Sequence, residues 1–302
     1  MKFEAGRGRR MKPPVFEYER PDSLRAALDS LTRHGSKAKL LAGGYSLIPM
    51  LNLRLIKPGR LIDVSRLAEL QYIVEEFGQL RIGALTTHNT ILRSSAIAAN
   101  CPIMVEAYRH VANHSIRNRG TLGGNLCHND PTFEMPLVVT LLGGTMLARS
   151  ARGSRTIAAQ RFFRAPFATD LAADEMLVEV RVPRMPSGHG YCFLEVSQRV
   201  GDRALIAAAC LLTIRYGACR EVRIGFRNAG DSVYRVAAAE AAIEGKPASA
   251  SVIEAAAEAA AGAITPPGDL HADEAYRRDV AATLTRRMLR TACARAGHAV
   301  DG

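Results

Sequence analysis

Two segments, Ala42-Gly43-Gly44-Tyr45-Ser46 and Thr121-Leu122-Gly123-Gly124-Asn125, each place a pair of glycines beside side chains that can form hydrogen bonds. Glycine adopts positive φ without strain, and a turn without Cβ atoms lets several backbone N–H groups converge on an anion. Oxygen-rich phosphate suits such a turn. We therefore predict two turns that together hold the diphosphate of a dinucleotide.

The residues that flank the glycines distinguish these pairs from the glycines of an ordinary tight turn. Ser46 stands where a helix N-cap would lie, and Pro49 falls in the first turn of the short helix that follows. A helix N-terminus would add partial positive charge beside the first pair. Gly143-Gly144, by contrast, lies between apolar runs without a capping side chain, which predicts a hairpin turn.

Composition indicates a soluble, globular chain of two or three domains. The sequence has 302 residues and 48% hydrophobic content, enough for a sizeable core. We find no stretch of the apolar length that a membrane span needs, and residues 1–11 lack the apolar core of a secretory signal. We expect a cytoplasmic protein with a disordered tail at 1–11; Met11 is an alternative start.

Net charge and cysteine content indicate which kinds of ligand and partner the chain can bind. The formal net charge is +11, but the basic residues are scattered and aromatic residues make up only 6%. This pattern favours an anionic ligand or an acidic protein partner over nucleic acid. Six cysteines are dispersed without a Cys-x-x-Cys pair, so we predict no metal site.

The pattern of apolar residues divides the chain into three parts. An amphipathic helix over 22–34 and strands over 39–42 and 61–64 predict a small α/β unit. A strand-rich part follows and closes with an alternating strand over 176–183. Strands and then alanine-rich and charged helices predict an α+β domain at the end. The predicted bounds are 1–11 for the tail, then 12–65, 66–184 and 185–302.

Four segments of the chain resemble the FAD-binding (medium) subunit of molybdenum hydroxylases, the carbon monoxide dehydrogenase and xanthine dehydrogenase family. They are residues 40–49, 116–131, 199–202 and 271–278. The resemblance extends from residue 13 to about residue 295. It implies an α+β protein: a FAD-binding fold of the vanillyl-alcohol-oxidase (PCMH) type in two subdomains, 12–65 and 66–184. A C-terminal domain of the carbon monoxide dehydrogenase flavoprotein type would follow.

The resemblance also implies a set of residues that bind FAD non-covalently. Two runs would wrap the diphosphate and ribityl chain: Leu40, Leu41, Ala42, Gly43, Gly44, Tyr45, Ser46 and Leu47, and then Thr121, Leu122, Gly123, Gly124 and Asn125. Glu134 matches an acidic position on the adenosine side, and Asp130 lies in the same loop. Leu177 matches a position that packs near the cofactor, although an ordinary core leucine is equally expected there.

Glu195 departs from the pattern of the resembling family, because many relatives carry lysine at the matching place, close to the flavin ring. A carboxylate there would disfavour the anionic reduced flavin electrostatically. The redox properties of the flavin and the identity of the electron acceptor are therefore left open.

Membership in this family would imply an electron-transfer subunit. A small subunit with [2Fe–2S] clusters would reduce FAD, and FAD would pass electrons to NAD, a quinone or oxygen. A large molybdopterin subunit would oxidise the substrate, and the complex would be a dimer of heterotrimers. The chain lacks the Gly-x-Gly-x-x-Gly pattern of a built-in NAD site. Two alternatives remain: a stand-alone flavin oxidoreductase, and a FAD-free assembly module.

Overall fold

The computed structural model describes residues 12–230 and 233–300, so the tail predicted at 1–11 lies outside the described residues. The first part of the fold is a small parallel sheet in which β3 lies between β1 and β2. Ser23 begins α1 by accepting a hydrogen bond from the Ala26 N–H. The elements are β1 (Glu17–Glu19), α1 (Leu24–His34), β2 (Ala38–Leu41), α2 (Leu47–Asn52) and β3 (Arg60–Asp63).

The second part is a five-stranded antiparallel sheet, with short helices packed against it. Its helices are α3 (His88–Leu92), α4 (Ser95–Asn100), α5 (Pro102–Tyr108), α6 (His114–Arg117), α7 (Leu122–His128), α8 (Met135–Leu141) and α9 (Ala159–Phe162). Its strands are β4 (Ile73–Glu76), β5 (Gln79–Gly83), β6 (Thr145–Ser150), β7 (Gly153–Ala158) and β10 (Met176–Pro183), and β8 (Phe163–Ala165) and β9 (Ala168–Thr169) form a separate hairpin. The strand order in the sheet is β4-β5-β10-β6-β7.

Strand β10 is central and joins two cores. Met176 and Val178 face the core beneath α1, whereas Leu177 and Val180 face the larger core among the helices of the second part. A β-bulge between Leu177 and Glu179 changes the alternation, which is why residues three apart share a face. The bulge therefore lets one strand tie the small parallel sheet to the rest of the protein.

The third part is an antiparallel sheet of order β11-β12-β13-β14 with three helices. Its elements are β11 (Gly190–Ser197), β12 (Ala204–Arg215), β13 (Ala218–Arg227), β14 (Tyr234–Arg235), α10 (Ala237–Ile243), α11 (Ala250–Ala263) and α12 (Glu274–Arg295). One face of this sheet packs against its own helices, and the other packs against α5 and α8 of the second part. The predicted α+β class is confirmed; the predicted domain bounds stay predictions.

The alternation along β11 decides what faces the second part. Phe193 and its partner on β12, Ala209, belong to the core shared with α5 and α8. Glu195 is paired with Ala207, which lies in that same core, so its side chain is on that face as well. A carboxylate therefore projects into the contact between the second and third parts.

Two predictions about the glycine pairs are wrong. Gly123-Gly124 is not a turn, because both residues lie in the first turn of α7. Of the four glycines in the two predicted turns, only Gly44 has positive φ, at 83°. Gly143-Gly144 joins a helix, α8, to strand β6 and so does not form a hairpin. The glycines are required mainly for close backbone approach.

Candidate functional site

The two glycine segments meet at a backbone contact. A Cβ atom at Gly43 would lie 2.9 Å from the Gly120 Cα and closer still to the Arg119 carbonyl oxygen. The Tyr45 hydroxyl donates to the Ser115 carbonyl at 3.2 Å and holds the first segment against α6. Only glycine fits at position 43 without moving the backbone that leads directly into the second segment.

The second segment is fixed to the chain that follows β5. The Gly123 N–H donates to the Ala84 carbonyl at 2.8 Å, and the Leu122 N–H donates to the Thr86 carbonyl at 3.0 Å. A Cβ atom at Gly123 would lie 2.7 Å from the Ala84 Cβ. The start of α7 is therefore pressed onto the sheet, and its position relative to Gly43 is determined by the backbone.

Thr121 caps α7, since its Oγ1 accepts a hydrogen bond from the Gly124 N–H at 3.1 Å. We expect Thr121→Ala to lower the free energy of unfolding by about 1 kcal/mol, because the Gly124 N–H loses its acceptor. Thr121→Ser keeps the hydroxyl and should remain close to wild type. Urea unfolding of both variants measures the difference, and equal stability of the two would contradict a capping role.

The loop after α7 is held by a buried arginine from the third part. Arg227, at the end of β13, donates to the Asp130 carbonyl at 2.5 Å, to the Phe133 carbonyl at 3.2 Å and to Asn129 Oδ1 at 3.1 Å. Asn129 itself donates to carbonyls of β8 and β9. Burial lowers the pKa of Arg227 to about 10, so it remains charged at neutral pH. It therefore shapes the loop that carries Asp130 and Glu134.

Two glutamates, Glu134 just before α8 and Glu195 on β11, have carboxyl groups with raised pKa values. Glu134 is 4% exposed, and burial, reinforced by the charge of Glu195, raises its pKa to about 8. Burial also raises the pKa of Glu195 to about 7. Both carboxyls therefore retain protons at a pH at which exposed glutamates are fully ionised.

Several buried polar atoms near these segments form no hydrogen bond within the described chain. They are His88 Nδ1, Tyr108 Oη, Asn125 Oδ1, Asp130 Oδ2 and both carboxyl oxygens of Glu195. Buried polar groups are almost always paired, so these atoms need partners from water or from a ligand. Burial lowers the pKa of His88 to about 4, so its ring is neutral and offers both a donor and an acceptor.

These atoms belong to elements that pack against one another. The His88 ring lies 5.4 Å from the Tyr108 ring, and its backbone N–H donates to the Gly120 carbonyl at 2.9 Å. Burial, and to a lesser extent the charge of Glu134, raises the pKa of Tyr108 well above its usual value. His88 thus lies between the backbone of the glycine contact and the buried ring of Tyr108.

The remaining predicted residues divide into loop and core positions. Ala42 to Ser46 form the loop between β2 and α2, and Leu47 begins α2. Ser46 occupies the N-cap position without a side-chain hydrogen bond to the helix. Leu40 packs against the core beneath α1, and Leu177 is 4% exposed within the larger core. The side chains of these two leucines serve packing in this structure.

The charge of Glu195 contributes to the raised pKa of Glu134. The assignments of Glu134 to the adenosine side and of Glu195 to the flavin ring stay predictions.

Comparison with known proteins accounts for both halves of the chain. Residues 14–185 match the FAD binding domain in molybdopterin dehydrogenase, and residues 191–292 match the CO dehydrogenase flavoprotein C-terminal domain. The chain belongs to the FAD-binding subunits of the molybdenum hydroxylases. It is therefore an oxidoreductase component, and FAD is its cofactor.

Individual relatives cover nearly the whole chain. The nicotine 6-hydroxylase medium subunit of Paenarthrobacter nicotinovorans is 39% identical over 94% of this chain and 100% of its own length. Two solved structures each cover 94% of this chain and 99% of their own. Carbon monoxide dehydrogenase from Hydrogenophaga pseudoflava superposes with a TM-score of 0.91 at 37% identity. Quinoline 2-oxidoreductase from Pseudomonas putida 86 gives 0.90 at 35%.

The residues present fit FAD. Its phosphates would accept hydrogen bonds from backbone N–H groups of the first glycine segment, because those of Leu122, Gly123 and Gly124 already donate within the chain. Its ring systems and hydroxyls would offer donors and acceptors to polar atoms such as His88 Nδ1, Tyr108 Oη and Asn125 Oδ1. When bound, FAD supplies two-electron redox chemistry. The chain's own residues bind it, exclude water and set the charge around it. The specific contacts predicted for each residue stay predictions.

Sequence reasoning missed Tyr108 and Arg227, and it set His88 aside as a turn or surface histidine. His88 is 4% exposed and Tyr108 and Arg227 are almost fully buried, yet none belongs to a recognisable motif. Arg227 alone had a weak signal, a charge at the end of a predicted apolar strand.

Among residues 12–230 and 233–300, no three His, Cys, Asp or Glu side chains form a group suited to a metal ion. Within the same ranges, no helix is long and apolar enough to cross a membrane.

Proposed function

We propose that this chain transfers electrons from the [2Fe–2S] clusters of a partner subunit through FAD to an external acceptor. The observation that carries the proposal is the contact of Gly43 with Gly120 beside a set of buried polar atoms without partners in the described chain. This arrangement supports a cofactor site in a chain whose two halves both match flavoprotein domains. Such a chain needs an electron donor and an electron acceptor.

The names of the relatives support separate roles for different subunits of a complex. Similar proteins are called the medium chain of carbon monoxide dehydrogenase and the medium subunit of nicotine 6-hydroxylase. We propose two partners here, a small [2Fe–2S] subunit and a large molybdopterin subunit that oxidises the substrate, in a dimer of heterotrimers. The acceptor is NAD, a quinone or oxygen. Specificity for the organic substrate belongs to the large subunit.

An exposed apolar strip next to the first glycine segment supports a protein partner. Tyr45 and Ile48 are 42% and 39% exposed, and Leu53 and Leu55, just after α2, are 58% and 68% exposed. Exposed apolar clusters commonly mark protein contacts. Because the strip begins within the glycine segment itself, a subunit that docks on it would sit beside the cofactor, where electron transfer requires it.

Purification of a tagged chain from cells that express the whole complex tests this function. We expect the chain to retain stoichiometric FAD and to bring iron, acid-labile sulfide and molybdenum with it, measured by metal analysis and visible absorption. The chain purified alone should hold FAD but should not oxidise organic substrates. Turnover of an aldehyde or heterocycle by the isolated chain would contradict the proposal and favour a stand-alone flavin oxidoreductase.

A further inference from the structure

The ring of His88 packs against Gly120, the residue whose Cα meets Gly43. A Cβ atom at Gly120 would lie 2.7 Å from His88 Cδ2, 2.9 Å from His88 Nε2 and 3.0 Å from the Ile116 carbonyl oxygen. Gly120 does not have positive φ, so backbone strain does not explain the glycine. Close packing against the imidazole and the Ile116 carbonyl explains it. Gly120 therefore joins His88 to the first glycine segment.

The backbone of His88 is attached to the same residue. Its N–H donates to the Gly120 carbonyl at 2.9 Å, beside an antiparallel bridge between Thr87 and Thr121. Thr87 also caps α3, since its Oγ1 accepts a hydrogen bond from the Thr90 N–H at 3.2 Å. His88 is therefore the first residue of a capped helix, and this backbone fixes where its ring meets Gly120.

The His88 ring is enclosed by α5 and α6 in its neutral form. It is 4% exposed, and its centre lies 5.4 Å from the centre of the Tyr108 ring. Burial, and to a lesser extent the charge of Arg117, lowers the pKa of His88 to about 4. Arg117 is itself held by hydrogen bonds to the Val111 and Ala112 carbonyls. A neutral ring in such a closed place is a firm support for Gly120.

The segment that meets Gly120 presents free backbone donors. Among the residues that the structure describes, the N–H groups of Gly43, Gly44, Tyr45 and Ser46 have no hydrogen-bond acceptor. Consecutive N–H groups of a turn suit the oxygens of a phosphate. The backbone itself thus links Gly120 to the cofactor site, because a shift of Gly120 moves the segment whose donors are available for the diphosphate.

We propose that His88 is a positioning residue for FAD binding: its ring holds Gly120 against Gly43 and so fixes the free N–H groups of the first glycine segment. The inference rests on the proposed function and deepens it, because it names a residue outside both glycine segments that sets their contact. His88 acts through Gly120 and needs no contact of its own with the cofactor. Loss of the ring therefore weakens FAD binding without removing any phosphate donor.

A double-mutant cycle tests the contact between the ring and Gly120. The variants are His88→Ala, Gly120→Ala and the two combined, and each FAD-free chain is titrated with FAD while flavin fluorescence is followed. We expect each single substitution to weaken binding about tenfold, because the first removes the support and the second drives a methyl group into the ring. In the double variant the methyl group enters the space left by the ring, so its affinity should be no lower than that of His88→Ala.

His114→Ala is the matched control, because it removes an exposed imidazole of α6 that contacts Asn118. It should bind FAD as the wild type does. His88→Gln keeps a side chain of similar length and should retain more affinity than His88→Ala. General destabilisation would make two damaging substitutions worse in combination, whereas a direct contact gives relief. Losses that multiply in the double variant, or wild-type affinity in His88→Ala, would overturn the inference.

The outcomes separate this inference from the proposed function. If the wild type binds FAD and the losses multiply, His88 does not position the site and the electron-transfer role stands. A wild-type chain that binds no FAD would overturn the proposed function, and the inference with it. If Gly120→Ala fails to fold by itself, recovery of the fold in the double variant supports the contact. If both fail to fold, equal FAD affinities of His88→Ala and His88→Gln would overturn the inference, and higher affinity in His88→Gln supports it.

Discussion

Gly43→Val combined with Gly124→Val abolishes FAD binding and leaves the C-terminal part folded: this is the largest effect we expect. The Gly43 position has no room even for a Cβ atom, because the Arg119 carbonyl and the Gly120 Cα occupy that space. A Cβ atom at Gly124 would lie 2.9 Å from Thr121 Oγ1, which caps α7. Gly43→Val therefore forces the two segments apart, and Gly124→Val disturbs the capped start of α7 within the second segment, so both change the backbone that is predicted to bind the diphosphate.

Flavin absorbance per chain after purification, and titration of the chain with added FAD, measure the loss. We expect affinity to fall at least tenfold in Gly43→Val alone and to become undetectable in the double variant. Gly59→Ala is the matched control, since its Cβ would lie 3.7 Å from the nearest atom, an ordinary contact in the same subdomain. Stoichiometric FAD in the double variant would refute the assignment of these segments to the cofactor.

Arg227→Met has the second largest expected effect. The substitution keeps much of the side-chain volume but leaves the carbonyls of Asp130 and Phe133 and Asn129 Oδ1 without their donor in a buried place. Unsatisfied buried acceptors cost about 1–3 kcal/mol each. We expect a loss of about 3 kcal/mol or more in the free energy of unfolding, together with weaker FAD binding, because the loop that carries Asp130 loses its support.

Thermal unfolding and FAD titration of Arg227→Met should be compared with those of Arg220→Ala. Arg220 lies on the same strand but is exposed, so its loss should change stability by less than about 0.5 kcal/mol. If Arg227→Met matched the control in both measurements, the buried arginine would not organise the loop.

Local patterns predicted most of the elements. The helix predicted over 22–34 is found at Leu24–His34, and the alternating strand predicted over 176–183 is found at Met176–Pro183. Their patterns of apolar residues are strong because the helix buries one face and the central strand buries both of its faces. The pair Gly123-Gly124 was misread because glycine is a poor helix former, and the pattern did not reveal that α7 must begin in contact with Ala84.

The candidate site was predicted only where it is continuous in sequence. The two glycine segments carried enough local signal to be found, whereas their contact through Gly120 depends on how the small parallel sheet packs on the second part. Arg227 reaches its acceptors from nearly a hundred residues away, and its hydrogen bonds join the third part of the fold to the second. No periodicity or spacing encodes such tertiary contacts.

The division of the site between separate sheets has a consequence for how these subunits diversify. The backbone that surrounds the glycine contact comes from the first two parts of the chain, whereas Glu195 and Arg227 come from strands of the C-terminal sheet. Substitutions along β11 can therefore change the charge contributed by Glu195 while the backbone of the two glycine segments stays unchanged. Substitutions of Arg227 in β13 also disturb the loop that carries Asp130, so β11 is freer to vary than β13 as related subunits diverge.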